Sequence, residues 1–227
     1  LFLLLPLAPL LLLGGCGVHD DSLERIDRSG ELRLITRNGP TTYYLGRDGE
    51  RGFDYDLAGR LAQELGVELV VTQAFSIDEL FQALERGEAD IAAAGLSLTP
   101  RRAAEYAPSR PYARQRPQVI YKTGQRRPRS VAELQELKIG VIENSSHQSL
   151  LEELRSDGHD WLRWEQFAAS DPLELLSLVN DDRLDVAVVD SRDFFIQQNL
   201  VPRLAVAFDL AGDRDIVWYL PRTARES

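Results

Sequence analysis

The stretch from Gly95 to Arg102 contains the residue types best suited to binding a small anion. Gly95 and Ser97 follow directly on a short apolar run, and Arg102 comes within one further turn. A strand end with free N–H groups, a serine hydroxyl and a guanidinium suits a carboxylate, because arginine can bind both carboxylate oxygens at once. The alternative is a strand, a turn and an arginine in a surface ion pair, since Arg101 lies beside Arg102 and only one of them can point inward.

Two apolar runs are typical of buried strands that end at polar groups. Residues 91–94 lead into Gly95, and residues 186–189 lead into Asp190. Short continuous apolar runs indicate strands covered on both faces, and ligands of open α/β sheets bind beyond the carboxyl ends of such strands. An aspartate precedes each run, Asp90 or Asp185, so the two halves of the chain match in architecture although they are not a sequence repeat.

The elements around these strands predict an α/β fold with two lobes. Strand and helix patterns alternate from residue 31 to residue 210, which predicts parallel sheets with helices on both faces. Helix starts are marked by capping-box patterns at Ser76 and Ser130 and by Asp171 before a proline, and Gly66 marks a helix end. Two such lobes that face each other form a cleft, which is a preferred place for a small ligand.

Composition restricts the classes of partner. The 227 residues carry a net charge of −10, which disfavours nucleic acid because phosphate contacts need an excess of Lys and Arg. The only cysteine is Cys16, so neither an internal disulfide framework nor a cysteine-based metal site is expected. The three histidines are far apart and show no metal-ligand spacing. We therefore predict no cofactor and no metal.

The first fifteen residues predict the compartment. They carry no charge, form an apolar run too short to span a bilayer comfortably, and end in two glycines before Cys16, as a secretory signal does. The sequence around Cys16 resembles the bacterial lipobox, in which the cysteine becomes the lipidated first residue. A cleaved signal with an incidental cysteine is the alternative. Gly17 favours the outer membrane by this resemblance, and several acyl chains would make the anchor stable. Residues 16–30 are then a polar tether in the periplasm.

Several motifs resemble one family of binding proteins. The segment 95–102, followed by 106–112, resembles the signature of the bacterial family 3 extracellular solute-binding proteins. The most similar members are the N-terminal modules of the membrane-bound lytic murein transglycosylase F family, and the segments that carry this likeness are 32–38, 92–96, 118–121, 144–147, 189–191 and 206–210. The resemblance implies a type II Venus-flytrap fold, with lobe 1 at 31–117 plus 211–227 and lobe 2 at 118–210. It also implies a C-terminal transglycosylase domain outside these residues, and we expect the natural chain to extend beyond both ends.

The resemblance also assigns roles to individual residues. By motif position, Arg102, helped by Ser97 and the Gly95 backbone, would hold the α-carboxylate of an amino acid or small peptide, and Asp190 would pair with its α-ammonium. The other implied contacts are Ser145 and Ser146 on the carboxylate, and Phe75 with either Tyr43 or Tyr44 over the ligand side chain. Plain helix caps at Asp190, Ser145 and Ser146, and a core position for Phe75, are the alternatives. Arg37 and Asn38 stand where many receptors carry an acid, which favours an apolar amino acid or a muropeptide fragment.

Three function classes follow. The first is a ligand-sensing module of a murein-processing lipoprotein on the periplasmic face of the outer membrane. The second is a free-standing amino-acid-binding lipoprotein of an ABC transporter. The third is an enzyme, but neither a glutamate-serine signature nor a Ser/His/Asp spacing marks a catalytic site, so no catalytic residue is predicted in these residues.

Overall fold

A computed structural model describes residues 22–169 and 171–222 of the chain. The predicted signal segment 1–15 and Cys16 lie outside the described residues. The seven α-helices of this part are α1 (Ser22–Ser29), α2 (Phe53–Leu65), α3 (Ile77–Glu85), α4 (Pro100–Glu105), α5 (Ser146–Ser156), α6 (Pro172–Asn180) and α7 (Ser191–Gln197). None of them is both long enough and apolar enough to cross a membrane.

The helix α1 corrects the predicted tether, which was to run from residue 16 to residue 30. Its composition is polar, but Ile26 is buried against the first sheet. Arg25 donates from Nε to Asp90 Oδ1 at 2.9 Å and so fixes the helix to the start of a strand. One buried side chain and one ion pair therefore hold this helix, and neither produces an apolar periodicity in the sequence.

The first of two five-stranded sheets contains the first and the last strand of the described chain, β1 and β14. Its strands lie in the order β4-β1-β5-β14-β6, with bounds β1 (Glu31–Arg37), β4 (Glu68–Ala74), β5 (Ile91–Ala92), β6 (Ala107–Pro108) and β14 (Tyr219–Leu220). β1 pairs in parallel with β4 and β5, whereas β14 is antiparallel to β5 and β6. A separate hairpin is formed by β2 (Tyr44–Gly46) and β3 (Gly49–Arg51).

The second sheet has the order β10-β9-β11-β8-β12. Its strands are β8 (Pro117–Lys122), β9 (Ile139–Ile142), β10 (Glu165–Phe167), β11 (Val186–Asp190) and β12 (Leu204–Asp209). β9 pairs in parallel with β10 and β11, and β8 is antiparallel to β11 and β12. The parallel β-α-β order expected from the sequence is thus present on one side of each sheet, from the edge strand β4 or β10 to the centre, and the pairings on the other side are antiparallel.

Two strands connect the sheets. The chain leaves the first sheet through β7 (Ala113–Gln115) and returns from the second through β13 (Arg214–Ile216), and these strands pair with each other. One cluster of buried side chains includes Ile35 and Ala92 of the first sheet together with Ile120 and Ile142 of the second. The sheets are therefore joined both by the paired crossing strands and by shared apolar packing.

Three of the four predicted capping residues mark the end of an α-helix. The Ser76 hydroxyl accepts from the Glu79 N–H, Asp171 forms a capping box with Glu174, and Gly66 ends α2 with a φ of 71°. The pattern at Ser130 gives a different result. The segment Val131–Leu134 is a single 3₁₀ turn, and the Ser130 side chain makes no capping hydrogen bond. The capping-box pattern is present, but too few helix-forming residues follow it to make an α-helix.

Candidate ligand-binding site

Arg102 lies inside the molecule at the carboxyl edge of the first sheet. Thr99 caps α4 by accepting from the Arg102 N–H at 3.2 Å, and the Arg102 residue is only 8% exposed. Its guanidinium carbon lies 5.1 Å from the centre of the Phe81 ring, and Nη2 donates to the Asn144 carbonyl at 3.0 Å. The surface ion-pair interpretation is therefore wrong for Arg102, and the exposed member of the pair is Arg101.

Arg37, at the end of β1, brings a second buried guanidinium to the same edge. Its Nη2 donates to the Ala169 carbonyl of the second lobe at 3.0 Å. Burial lowers the pKa of Arg37, while the charges of Asp193, Asp171 and Glu174 act in the opposite direction. The guanidiniums of Arg37 and Arg102, both positioned by the first sheet, therefore donate to main-chain carbonyls of the second lobe. Each of these carbonyls comes just after a strand of the second sheet.

Asp190 supplies the opposite charge from the end of β11. It occupies the N-cap position of α7, but its side chain makes no capping hydrogen bond, so the helix-cap alternative is not what the structure contains. The residue is 8% exposed, and Oδ1 lies 3.2 Å from Nε2 of His147. The Asp190 charge raises the pKa of Arg102, which burial lowers more strongly and Arg37 lowers as well. Arg102 and Asp190 therefore influence each other through their charges, although they line different cavities.

The two serines at the start of α5 differ from each other. The Ser145 hydroxyl is buried and caps the helix by accepting from the Gln148 N–H at 3.2 Å, so its capping role is present. Ser146 is only partly buried and lines a narrow gap together with Ser97, His147 and Asp190. This gap is too narrow for a water molecule.

A larger cavity of about 260 Å³ lies on the other side of Arg102, between α3 and α4. Arg102 lines this cavity, while Asp190 lines the narrow gap. The Asn144 loop stands beside the guanidinium: its carbonyl accepts from Arg102, and its Nδ2 donates to Asp78 of α3 at 2.9 Å. Asn144 has a positive φ of 56°, a conformation that asparagine tolerates better than most residues. The lobes thus meet across this loop.

Asp54 fixes the Gly95 turn and was not predicted. The Gly95 N–H donates to Asp54 Oδ2 at 2.9 Å, and Oδ1 accepts from the Tyr112 hydroxyl at 2.7 Å and from Trp218 Nε1 at 3.1 Å. Burial raises the pKa of Asp54, and these three donors oppose the shift. The Gly95 amide is therefore already bonded within the protein, and a ligand contact of Ser97 or Arg102, the other members of the predicted motif, stays a prediction.

The predicted aromatic contacts lie outside these cavities. Phe75 is 73% exposed, so its alternative assignment to the core is wrong. Tyr43 is buried, and its hydroxyl donates to Glu50 at 2.6 Å, while Tyr44 lies in β2 with 39% exposure. None of the three lines the cavities described above, and a covering role for any of them remains a prediction.

A metal centre is not indicated within 22–169 and 171–222. No group of three or more histidine, cysteine, aspartate or glutamate side chains in these ranges is arranged to hold an ion. The chemistry available at the carboxyl edges is that of guanidinium, carboxylate, imidazole and hydroxyl groups.

Two α/β lobes joined by paired strands, with cations at the rim of one and acids at the rim of the other, define a two-lobed ligand-binding protein. The chain belongs to the bacterial extracellular solute-binding proteins, family 3, whose model matches residues 32–192. It is 41% identical over 209 residues to membrane-bound lytic murein transglycosylase F of Pseudomonas putida (strain GB-1), covering 92% of this chain and 43% of the relative. The protein of that name from Photobacterium profundum is 41% identical over 225 residues, covering 96% of this chain and again 43% of the relative.

Solved structures show the same fold at lower identity. Holo ArgBP from T. maritima aligns with a TM-score of 0.77 and 20% identity, covering 89% of this chain and 88% of that one. An ancestral amino acid-binding protein, a precursor of cyclohexadienyl dehydratase, aligns with a TM-score of 0.76 and 23% identity over 91% and 88% of the two chains. The predicted two-lobed type II α/β fold is confirmed, and the chain spans less than half the length of the curated relatives it matches.

Proposed function

We propose that the chain is the periplasmic ligand-binding module of a lipid-anchored lytic murein transglycosylase of the outer membrane. It binds a free amino acid or a small peptide, including a muropeptide fragment, between lobe 1 (residues 31–117 and 211–227) and lobe 2 (residues 118–210), which move on the paired strands β7 and β13. The transglycosylase reaction, in this proposal, belongs to the remaining length of the protein, and occupancy of the cleft regulates it.

The observation that carries the proposal is the Asp190 carboxylate. A buried carboxylate at a helix start normally caps the helix, because that contact compensates part of its lost hydration. Asp190 makes no such contact and faces the gap that Ser97 and Ser146 also line. A buried carboxylate that the helix N–H groups leave free, beside the His147 ring at 3.2 Å and with the Arg102 guanidinium at the opposite rim, suits a ligand that carries both an ammonium and a carboxylate.

In this proposal, Arg102 and Asp190 bind the two oppositely charged groups of the ligand. Arg102 binds the ligand carboxylate after its Nη2 exchanges the Asn144 carbonyl for a charged oxygen, and such charge-assisted bonds are shorter and stronger than neutral ones. Asp190 binds the ammonium. Because the closing lobes exclude water, the attraction between these charges and the ligand is screened less than at an open surface.

Calorimetry on matched arginine variants tests this proposal. We expect Arg102→Ala to lose at least ~2 kcal/mol of affinity, because the variant leaves a buried carboxylate unpaired, while Arg101→Ala binds as the unmodified chain does. The titrants are the branched-chain amino acids and the muropeptides that a muramidase releases from peptidoglycan. Equal affinity of the Arg102→Ala variant and the unmodified chain would contradict the proposed site.

The second candidate is a free-standing amino-acid receptor of an ABC transporter. The observation in its favour is that the neighbouring solved structures are binding proteins of which this chain covers 88%. Reading the gene beyond Ser227 separates the two candidates: a following helical domain with a catalytic glutamate supports the murein-processing protein, and a nearby stop codon supports the receptor.

A further inference from the structure

Arg37 is a cation of the first lobe that the second lobe encloses. It is the last residue of β1, it is buried, and its Nη2 donates to the Ala169 carbonyl of the second lobe at 3.0 Å. Arginine side chains are almost never fully buried unless they are paired, because an isolated buried charge carries a large free-energy cost. The second lobe must therefore supply charges that compensate this guanidinium.

Three acids of the second lobe supply this compensation. Asp171 and Glu174 lie at the start of α6, and Asp193 lies in the first turn of α7. Burial lowers the pKa of Arg37, and the charges of Asp193, Asp171 and Glu174 each raise it. We call these three carboxylates, together with the Ala169 carbonyl, the acidic pocket. The Arg37 guanidinium that is seated there shows that the acidic pocket accepts a planar cation with several N–H donors.

Contacts within the second lobe hold most of the acidic pocket in place. Asp171 Oδ1 accepts from Gln197 Nε2 at 2.6 Å, which ties the start of α6 to α7. Glu174 Oε1 accepts from the Asp171 N–H at 3.3 Å. Asp193 alone accepts from the first lobe, through the Thr41 hydroxyl at 2.9 Å. Two of the three carboxylates are thus positioned independently of the cation that they surround.

We propose that Arg37 is an internal cation which fills the acidic pocket and excludes a positively charged ligand side chain from the cleft. The acidic pocket itself does not depend on the function proposed above, whereas its effect on ligand choice rests on that function. A lysine or arginine side chain of a ligand would have to displace Arg37 or lie beside it, and like charges repel strongly where water is scarce. Arg37 therefore selects against basic ligands by repulsion, while ligands with uncharged side chains meet none.

This role predicts a new binding site in a variant. Arg37→Ala removes the guanidinium but leaves the acidic pocket, so a free guanidinium ion finds the same acceptors that surround the Arg37 head group. Arg37→Met is the matched variant, because its uncharged side chain is nearly as long and keeps the space filled. Arg110→Ala removes an arginine from an exposed position of the same lobe and is the control for the loss of charge.

Titration of each variant with guanidinium chloride tests for this site. The salt is used at millimolar concentrations, far below those that denature proteins, with ammonium chloride and sodium chloride at equal ionic strength as references. Calorimetry measures the affinity, and thermal unfolding measures the stabilisation that a ligand of the folded state produces. Circular dichroism establishes that each variant is folded.

We expect Arg37→Ala to bind guanidinium at least about tenfold more tightly than the unmodified chain, Arg37→Met or Arg110→Ala does, because it regains hydrogen bonds between charged groups. Ammonium should bind more weakly, since it lacks the planar fork of N–H donors. In a second titration, with L-leucine and L-arginine, the ratio of the two affinities should shift about tenfold toward L-arginine in Arg37→Ala.

The guanidinium titration decides the internal-cation role. Equal responses of Arg37→Ala and Arg37→Met, or no difference between Arg37→Ala and the unmodified chain, would overturn it. If Arg37→Ala is unfolded in buffer, recovery of its native circular dichroism in guanidinium chloride but not in ammonium chloride supports the role. Equal recovery in both salts, or recovery in neither, overturns it.

The outcomes also separate this inference from the function on which its ligand choice rests. If guanidinium does not bind to Arg37→Ala while amino acids bind to the unmodified chain and not to Arg102→Ala, the inference fails and the proposed function stands. If guanidinium binds to Arg37→Ala but no amino acid or muropeptide binds to the unmodified chain, the acidic pocket stands and the proposed function fails, and the exclusion of basic ligands fails with it. An unchanged ratio of the affinities for L-leucine and L-arginine would overturn that exclusion alone.

Discussion

The two lobes are built alike at one edge of their sheets and differently at the other. At the amino edge, Asp90 and Arg33 exchange two hydrogen bonds: the Arg33 N–H donates to Asp90 Oδ2 at 2.8 Å, and the Asp90 N–H donates to the Arg33 carbonyl at 2.9 Å. In the second lobe, Lys138 and Asp185 repeat this arrangement at 2.7 Å and 3.0 Å. The shared aspartate therefore sets the register between neighbouring parallel strands in both lobes.

At the carboxyl edge the lobes carry opposite charges. The first lobe places the guanidiniums of Arg37 and Arg102 there, and the second places the carboxylates of Asp190 and Asp193. Contact between the lobes consequently brings unlike charges together. The comparison teaches that the common edge serves the stability of each lobe, while the differing edge holds contacts between the lobes and the recognition site that we propose.

The largest expected effect is a difference in the free energy of unfolding between variants at the amino edges of the two lobes. Asp90 is 4% exposed and binds the guanidiniums of Arg25 and Arg33, whereas Asp185 is exposed. We expect Asp90→Ala to lower the free energy of unfolding by about 3 kcal/mol, because breaking a buried charge network leaves its partners uncompensated. Asp185→Ala should cost about 1 kcal/mol or less. Urea denaturation of both variants measures the difference, and equal costs would show that the amino edges are alike in energy as well as in geometry.

A smaller effect concerns the closing of the two lobes on each other. Arg37 joins the lobes through the Ala169 carbonyl and through the acids that face it. We expect Arg37→Ala to weaken the closed arrangement by about 2 kcal/mol, the value of a hydrogen bond from a charged group. Small-angle X-ray scattering should then report a larger radius of gyration. Arg110→Ala, at an exposed position, is the control, and an unchanged radius in Arg37→Ala would contradict the prediction.

The smallest expected effect is a pH dependence at the second lobe's edge. Burial and the nearby Asp190 charge raise the pKa of Asp193 from its ordinary value of 3.8 to about 6, against a hydrogen bond from Thr41 at 2.9 Å. The folded protein binds this proton more tightly than the unfolded chain does, so the contribution of Asp193 to stability is full below about pH 4 and is lost as the pH rises through about 6.

Thermal unfolding measured between about pH 7 and about pH 5 tests this sign. The unmodified chain should gain about 1 kcal/mol at the lower pH relative to Asp193→Asn, which has no proton to bind at this position. Thr41→Val should move the transition to higher pH, because the Thr41 hydroxyl stabilises the ionised form. The same pH dependence in Asp193→Asn as in the unmodified chain would assign the effect to another group.

Local patterns predicted the strand ends that carry the site. The apolar runs before Gly95 and Asp190 were sufficient, because such runs with polar residues at their ends are strong signals of buried parallel strands. The caps at Ser76 and Asp171 and the stop at Gly66 depend only on neighbours within a few residues, and for that reason they were also predicted.

The contacts that were missed depend on residues far apart in the chain. Asp54 binds Trp218 across 164 positions, and no local pattern indicates which of many aspartates will be enclosed by a late strand. The burial of His147 follows from the approach of Pro117 and Asp190 from other strands. α1 is fixed to the first lobe by the ion pair of Arg25 with Asp90 and by the burial of Ile26, and neither contact produces an apolar periodicity in the sequence.

The position of β14 has a consequence for any chain that continues past it. Tyr219 is fully buried between β5 and β6, and its hydroxyl donates to the Ser97 carbonyl at 3.1 Å and accepts from the Thr99 N–H at 3.2 Å. The outgoing strand is thus bonded directly to the turn that leads to Arg102. A rearrangement of that turn would shift β14 with it, so a mechanical displacement of residues 97–99 and of the strand through which the chain continues would be the same event.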